Sequence, residues 1–201
     1  MSETVRKPQQ QRSIDKRNKI IQAGYELFAQ NGYFNTNTAE IAKSAGVSTG
    51  LVYGYFRDKR DILVEVLDQY IQQVYEPILQ IFDSLTAPLK FNALIPQIVE
   101  QAIAVHKKNS SIHEALHALS HTDDIVNKKF IQLEDTMTKK FVERLNVLNY
   151  HKSNLHERVH LAMNLIQSYA HEYVFDKHSY INYQEMKNIV VCILTQLFEQ
   201  G

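Results

Sequence analysis

A nine-residue stretch, STGLVYGYF at residues 48–56, combines two hydroxyl side chains, two glycines and three aromatic rings. Glycine, serine and threonine bury little apolar area, and glycine in particular weakens a helix, so this stretch would make a poor core element. Ser48, Thr49 and Gly50 suit instead the tip of a short helix that meets another molecule. Backbone N–H groups at a helix start attract phosphate, so the expected chemistry is contact with a phosphate-bearing polymer.

A second short helix is predicted immediately before this stretch. The segment TAEIAKSA follows Asn37, whose side chain can cap the helix while Glu40 reaches back in a capping box. Gly46 ends that helix, and Ser48 is expected to cap the next one. Two short helices joined by a tight turn are typical of a helix-turn-helix, in which the second helix enters the DNA major groove tip first.

The charge distribution favours a polyanionic partner for the amino-terminal part alone. Residues 1–60 carry 10 Lys and Arg against 5 Asp and Glu, and residues 61–201 carry 12 against 17. An ordinary solvated surface would explain this bias if charge were the sole clue. Together with the short capped helices, the excess of positive charge favours DNA.

Apolar residues recur at intervals of three and four, which predicts an all-α fold of about nine helices. The first helix is expected from Ser13 to Asn31, and the fourth, capped by Asp58, is expected to break or kink at Pro77. Pro88 and Pro96 are interpreted as further boundaries. The remaining helices are expected near residues 91–108, 110–121, 124–149, 153–176 and 183–199.

Two features of the sequence indicate the cellular compartment of the protein. The single cysteine, Cys192, lies in the apolar run IVVCIL, which predicts a buried, reduced thiol and excludes an internal disulfide. No run of eighteen apolar residues is present, and the first residues contain no apolar signal-peptide core. We therefore expect a cytoplasmic protein with no membrane partner.

From Arg17 to Leu63 the sequence resembles the DNA-binding head of TetR-type transcriptional regulators. The segments AGYELFAQNGY, TAEIAKSAGVS and LVYGYFRDK fall at the spacing of that family, and the likeness covers about a quarter of the chain. It implies an amino-terminal arm and a three-helix helix-turn-helix head in residues 1–57. Residues 58–201 would then form a larger carboxy-terminal helical domain for ligand binding and dimerisation.

The resemblance also implies which residues contact DNA. Seven are carried over by position: Thr38 and Ser48 at phosphates, Thr49 and Gly50 at base edges, and Tyr53, Tyr55 and Lys59 at the backbone. No Arg or Asn occupies the helix tip, so DNA shape and methyl contacts are expected to carry more of the specificity than bidentate base contacts.

The function implied by the resemblance is that of a regulator and not of an enzyme, with no cofactor. It would be a repressor that binds a palindromic double-stranded DNA operator as a homodimer and leaves it when a small-molecule effector binds. The dimer would form through the last two helices, whose apolar residues can serve both their own core and a partner: Leu161, Met163, Leu165, Ile166, Ile189, Val190, Ile193, Leu194 and Leu197.

The effector is not identified by the sequence. An aromatic-lined pocket for an organic molecule is expected to draw on residues of the later helices: His117, Phe130, Met163, Gln167 and Tyr169.

Three alternatives stay open. His113, His117 and His121 are spaced four apart on one helical stripe, which suggests a metal-responsive regulator, although no cysteine or HExxH motif accompanies them. A helical enzyme could use His171 with Glu172, but no nucleophile elbow or phosphate loop is present. A protein-interaction module would explain amphipathic helices but not the capped pair at residues 37–56.

Overall fold

A computed structural model describes residues 6–200, with side chains described from Gln10 to Gln200. In these residues the chain forms nine α-helices and no strand, which confirms the predicted all-α class. The helices are α1 (Arg6–Asn31), α2 (Thr38–Ser44), α3 (Thr49–Tyr53), α4 (Lys59–Asp83), α5 (Phe91–Lys108), α6 (Ser110–Ser120), α7 (Asp124–Val147), α8 (Leu155–Phe175) and α9 (Tyr183–Glu199).

The predicted helix starts in the amino-terminal part are present as hydrogen bonds. Asn37 Oδ1 accepts from the Glu40 N–H at 3.0 Å, and Glu40 Oε2 accepts from the Asn37 N–H at 3.1 Å, which completes the capping box of α2. Ser48 Oγ accepts from the Leu51 N–H at 3.2 Å and caps α3. These caps satisfy N–H groups that a helix start leaves without an intrahelical partner.

Helix α1 begins seven residues before the predicted start at Ser13. Arginine, lysine and glutamine are good helix formers, so the segment before Ser13 extends the helix. Gln11 adds a local contact, because its Nε2 donates to Asp15 Oδ1 one turn later at 2.9 Å. Residues 1–5 of the predicted arm lie outside the described residues.

Two of the three prolines expected to interrupt or bound helices, Pro77 and Pro96, lie inside them. Helix α4 continues past Pro77 to Asp83, so the predicted break is absent, and α5 contains Pro96. Val74, Ile78 and Phe82 bury one face of α4 on both sides of Pro77. Tertiary packing of such a face supplies most of the stability of a helix in a protein, which offsets the lost backbone hydrogen bond.

The chain divides into two compact units. The first contains the described residues up to Ile71 together with Ser111–Val126, and the second contains Gln72–Ser110 with the described residues from Asn127 onward. The first unit therefore includes the helix-turn-helix, the beginning of α4 and most of α6. The functional boundary predicted at residues 57 and 58 remains a prediction.

In the first unit, α1 and α4 approach each other closely at Gly24. A Cβ atom at this position would lie 2.7 Å from Ile62 Cγ2, a distance at which either the Ile62 side chain or one of the two helices must shift. Ile62 is fully buried, as are Ile20 and Val66 beside it. Glycine at position 24 is thus required by close helix packing and not by a backbone angle.

The second unit has its core among α5, α8 and α9, which contact one another pairwise. Buried apolar side chains from all three helices meet there: Leu94, Ile98, Val159, Ile166, Val190 and Leu194. Arg144 of α7 donates to the carbonyls of Phe82 and Asp83 at 3.1 and 2.8 Å. This guanidinium satisfies carbonyl groups that the end of α4 leaves without intrahelical partners.

The variant Gly24→Ala is expected to destabilise the protein by about 1–2 kcal/mol. Overpacking of a dense core costs roughly 1–3 kcal/mol, and the higher helix propensity of alanine returns up to about 1 kcal/mol. Urea-induced unfolding followed by circular dichroism measures the difference.

Ile62→Leu removes the Cγ2 methyl group that a Cβ at position 24 would meet, which provides a matched control. The double variant Gly24→Ala, Ile62→Leu should be more stable than the sum of the two single effects predicts. Additive effects would show that the Gly24 to Ile62 approach does not limit packing.

Candidate functional site

The first turn of α3 is open to solvent. Ser48, Thr49 and Gly50 are all exposed, and a Cβ atom added at Gly50 would meet no atom of the protein within 4 Å. On the opposite side of the same helix, Val52 is fully buried against the core of the first unit. The short helix therefore has one face that anchors it and a tip that a large partner can approach closely.

The two tyrosines of this segment have different surroundings. The Tyr53 side chain is 56% exposed, and its hydroxyl has no hydrogen-bond partner within the described part of the chain. Tyr55 is half-buried, and its hydroxyl shares a hydrogen bond of 3.0 Å with Ser13 Oγ of α1. The bond from Tyr55 ties the end of the helix-turn-helix to the first helix, a contact that the sequence prediction missed.

Lys59 has an internal role that the sequence did not reveal. Its Nζ donates to the carbonyl oxygens of Tyr33 and Thr36, both at 2.7 Å, and lies 4.2 Å from the centre of the Tyr33 ring. Partial burial lowers the pKa of the Lys59 ammonium, and the nearby charge of Glu40 opposes that shift. The predicted phosphate contact of Lys59 would have to use what remains of its hydrogen-bonding capacity.

The turn between α1 and α2 is held from its other side by Thr36. Its side chain is buried, and Oγ1 donates to the carbonyls of Gly32 at 2.9 Å and Leu27 at 3.3 Å. Lys59 and Thr36 together fix the backbone that leads into Asn37 and Thr38. Thr38 is half-buried at the first position of α2, where the sequence predicted a phosphate contact.

Several basic side chains of the first unit form ion pairs. The Arg57 guanidinium donates twice to the Asp61 carboxylate, from NH2 at 2.8 Å and from Nε at 2.9 Å. These bonds and the Arg57 backbone N–H lower the pKa of Asp61 to about 2. Arg17 pairs with Glu65 at 2.6 Å and Arg60 with Asp123 at 2.9 Å.

Exposed lysines supply positive charge that these ion pairs leave uncompensated. Lys16 and Lys19 of α1 and Lys43 of α2 are exposed, and none forms an ion pair within the described residues. These lysines and the exposed Arg12 therefore carry positive charge that no ion pair within the described residues offsets. A count of charged residues in the sequence does not separate side chains in ion pairs from side chains outside them.

The second unit contains an apolar cavity of about 50 Å³ among α4, α5, α7, α8 and α9. All thirteen residues that line it are apolar; they include Phe82, Leu94, Phe141, Ala162, Met163 and Leu194. Of the five residues predicted for an effector pocket, Met163 lies in this lining. The cavity is a candidate site for a hydrocarbon-rich molecule.

The other four predicted pocket residues lie elsewhere. Gln167 Nε2 donates to the Tyr75 hydroxyl at 3.2 Å, and Tyr169, which is buried, donates to the carbonyl of Tyr183 at 2.9 Å. Phe130 is half-buried outside the cavity lining, and His117 belongs to the first unit. Their role in an effector site stays a prediction.

The three histidines spaced four apart do not support the metal-responsive alternative. The Tyr70 hydroxyl and His113 Nδ1 share a hydrogen bond, the rings of His113 and His117 lie 4.1 Å apart, and His121 is exposed. Within the described residues, these three imidazoles do not bring ligand atoms together around one position. A regular spacing of four places side chains on one stripe, but it does not point their nitrogens at a common ion.

The last two helices carry apolar side chains on their outer faces. Leu161 of α8 is 56% exposed, and Ile189 and Ile193 of α9 are 59% and 49% exposed. Cys192 is exposed on the same helix, so the prediction of a buried thiol is wrong. Within the run IVVCIL, Val190 and Leu194 are the buried residues. The helical repeat places Cys192 on the exposed face.

No helix in the described part of the chain combines the length and the apolar character needed to cross a membrane.

Comparison with known proteins supports the interpretation of the amino-terminal part. Residues 20–66 match the family model described as bacterial regulatory proteins, tetR family. The chain is 42% identical over 80 residues to the HTH-type transcriptional regulator HbdR of Aromatoleum sp. (strain CIB), covering 38% of this chain and 33% of HbdR. It is 42% identical over 64 residues to the fatty acid metabolism regulator protein of Bacillus subtilis (strain 168), covering 30% and 33%.

These alignments span about a third of the length of the curated relatives. Solved structures extend the likeness to the whole fold. A chain from Mesorhizobium loti MAFF303099, assigned to the TetR family, matches with a TM-score of 0.74 at 19% identity, covering 92% of this chain and 96% of that one. The fatty acid degradation regulator FadR from Bacillus halodurans matches with a TM-score of 0.65 at 16% identity, covering 90% and 94%.

At these identities the structural likeness concerns the fold alone, and it agrees with the sequence match in the head. The capped helix-turn-helix lies in the segment that matches the tetR family of bacterial regulatory proteins, and the described chain shares the fold of solved structures assigned to that family.

Proposed function

We propose that the chain is a ligand-responsive repressor that binds a palindromic double-stranded DNA operator as a homodimer and is released by a small-molecule effector. The observation that carries this proposal is the exposed, capped tip of α3, where Gly50 leaves open space for a second molecule. A regulator of this kind acts in the cytoplasm, where its operator lies.

The proposed contacts follow the order of the residues along the two short helices. Thr38 and Ser48 bind phosphates at the starts of α2 and α3, and Thr49 and Gly50 meet base edges in the major groove. The exposed hydroxyl of Tyr53 donates to the DNA backbone. Tyr55 and Lys59 act at least in part through the protein, because both also bond to α1 or to the turn that follows it.

A homodimer is proposed because a single five-residue recognition helix makes too few contacts for useful specificity. Paired heads must lie about 34–36 Å apart to meet successive major grooves. The exposed apolar side chains Leu161, Ile189 and Ile193 on α8 and α9 support an interface through these helices. Their burial against a second copy would remove apolar surface from water in both subunits.

The effector is proposed to be a hydrocarbon-rich organic molecule that binds the apolar cavity of the second unit. The all-apolar lining supports this class, as does the likeness to two proteins named for fatty acid metabolism or degradation. Helix α4 connects the site to the head along the chain, because Lys59 is its first residue and Phe82 near its end lines the cavity. Full reversal of operator occupancy requires a preference of about 5.5 kcal/mol for one conformation.

Substitution of Gly50 by leucine tests the docking of α3. Gly50→Leu should lower affinity for a DNA fragment from upstream of the gene at least tenfold, because the side chain would occupy space needed by the groove. Thermal stability should be unchanged or higher, since leucine is a better helix former by about 1 kcal/mol. Fluorescence anisotropy measures the binding.

Ser111→Leu introduces the same side chain at an exposed position of α6 and serves as the matched control. It should bind DNA as the wild type does. Equal affinities for the Gly50→Leu and wild-type proteins would place the recognition surface elsewhere.

Lys59→Met separates a positioning role from a direct phosphate contact. Loss of the two hydrogen bonds to Tyr33 and Thr36 should destabilise the head by about 1–3 kcal/mol and weaken DNA binding. The slope of log K against log salt concentration should stay that of the wild type. A slope reduced by about 1 would instead indicate that Lys59 binds a phosphate directly.

Lys43→Met is the comparison, because Lys43 is exposed in the same head and forms no ion pair within the described residues. It should leave thermal stability within the error of the wild type. A loss of stability as large as that of Lys59→Met would show that the effect is not specific to the Lys59 hydrogen bonds.

The double variant Leu161→Lys, Ile193→Lys is expected to shift the protein from dimer to monomer in sedimentation equilibrium, because burying two lysines in an apolar interface is unfavourable. DNA affinity should fall with the dimer. Ile131→Lys, at a 50% exposed isoleucine of α7, should leave the assembly unchanged. Dimerisation of the double variant with wild-type strength would exclude this interface.

A further inference from the structure

Two compartments of the second unit share one aromatic wall. The inner one is the apolar cavity of about 50 Å³, and the outer one is an open groove of about 460 Å³. Phe91 and Phe198 line both compartments. Their rings are stacked, with centres 5.1 Å apart and planes inclined by 12°, and both side chains are buried.

The two phenylalanines lie at helix ends. Phe91 is the first residue of α5, and its N-cap, Lys90, makes no side-chain capping bond. Phe198 is the penultimate residue of α9, and its carbonyl accepts a hydrogen bond from the Tyr150 hydroxyl. The backbone of Phe198 is thus anchored, so opening between the two compartments would require rotation of the two buried rings.

The composition of the two compartments differs. Every side chain that lines the inner cavity is apolar, so a charged or strongly polar group cannot enter it without losing its hydration. The outer groove contains Asn149, Lys152 and Glu199 beside the apolar Leu89 and Leu148. A molecule that spans both compartments therefore needs an apolar end and a polar end.

The shape of the inner cavity also limits the ligand. A volume of about 50 Å³ behind a pair of stacked rings admits a narrow chain more readily than a fused ring system. The hydrocarbon chain of the ligand would extend the cavity by displacing the rings of Phe91 and Phe198, and this displacement would join the cavity to the groove. Entry of the chain would then displace residues of α5 and α9.

We propose that this site binds an amphiphile with an unbranched hydrocarbon tail and a carboxylate head. The tail passes between Phe91 and Phe198 into the inner cavity, and the carboxylate lies in the outer groove beside Lys152. Glu199 lines the same groove, and its negative charge would oppose binding of the carboxylate. This inference rests on the proposed function in one respect, which is that the ligand is taken to be the effector. Binding of the ligand itself can be measured without DNA.

Isothermal titration calorimetry with octanoate, decanoate and dodecanoate, each below its micelle concentration, tests the tail. Affinity for the wild-type protein should rise about fourfold for each buried methylene group until the cavity is filled. Ala162→Phe, which fills the inner cavity, should abolish this dependence. Absence of saturable binding, or an affinity independent of chain length, overturns the proposal.

Comparison of dodecanoate with 1-dodecanol tests the proposed position of the ligand's carboxylate beside Lys152. Lys152→Gln should weaken dodecanoate binding about tenfold and leave the alcohol unaffected, while Glu199→Gln should strengthen dodecanoate binding several-fold. Lys140→Gln, at an exposed lysine of α7 outside the groove, should change neither ligand. Equal effects of Lys152→Gln on the acid and the alcohol would contradict a carboxylate beside Lys152.

The same preparations are then titrated with the upstream DNA fragment. DNA binding in the absence of saturable dodecanoate binding would overturn the ligand site and leave the proposed regulator intact. Saturable dodecanoate binding without any DNA binding would support the site and contradict the proposed function.

Discussion

Helix α3 has only five residues, too few for a stable helix in isolation, so its position depends on the contacts around it. Ser48 caps its start, Val52 anchors its inner face, and the bond from Tyr55 to Ser13 ties the following turn to α1. The position of the proposed recognition surface therefore depends on the packing of the first unit. Changes far from the tip that loosen this packing would also weaken binding.

Positively charged side chains of the first unit bind two kinds of partner, carboxylates and backbone carbonyl oxygens. Arg17, Arg57 and Arg60 pair with carboxylates and fix the elements of the first unit, and exposed pairs of this kind contribute little stability each. Lys59 uses its charge on carbonyl oxygens of the turn before α2. Lys16, Lys19, Lys43 and Arg12 are exposed and form no ion pair within the described residues, so net charge alone does not describe the proposed DNA-facing surface.

The sequence predicted what depends on local chemistry. Capping residues such as Asn37, Ser48 and Asp58 act within a few positions of themselves, so their roles can be inferred from spacing, and the structure contains each of these bonds. It did not predict features set by distant neighbours. Pro77 stays inside a helix because packing holds both sides of it, and Cys192 is exposed because the position on α9 decides which side chains of an apolar run are buried.

The central claim is that two copies of the α3 tip enter successive major grooves of one DNA molecule. Methylation protection with dimethyl sulfate measures this directly, because the reagent modifies guanine N7 in the major groove. We predict two protected patches, about 10 base pairs apart from centre to centre, related by the symmetry of the operator. A single protected patch, or a bound complex with no major-groove protection, would contradict the account.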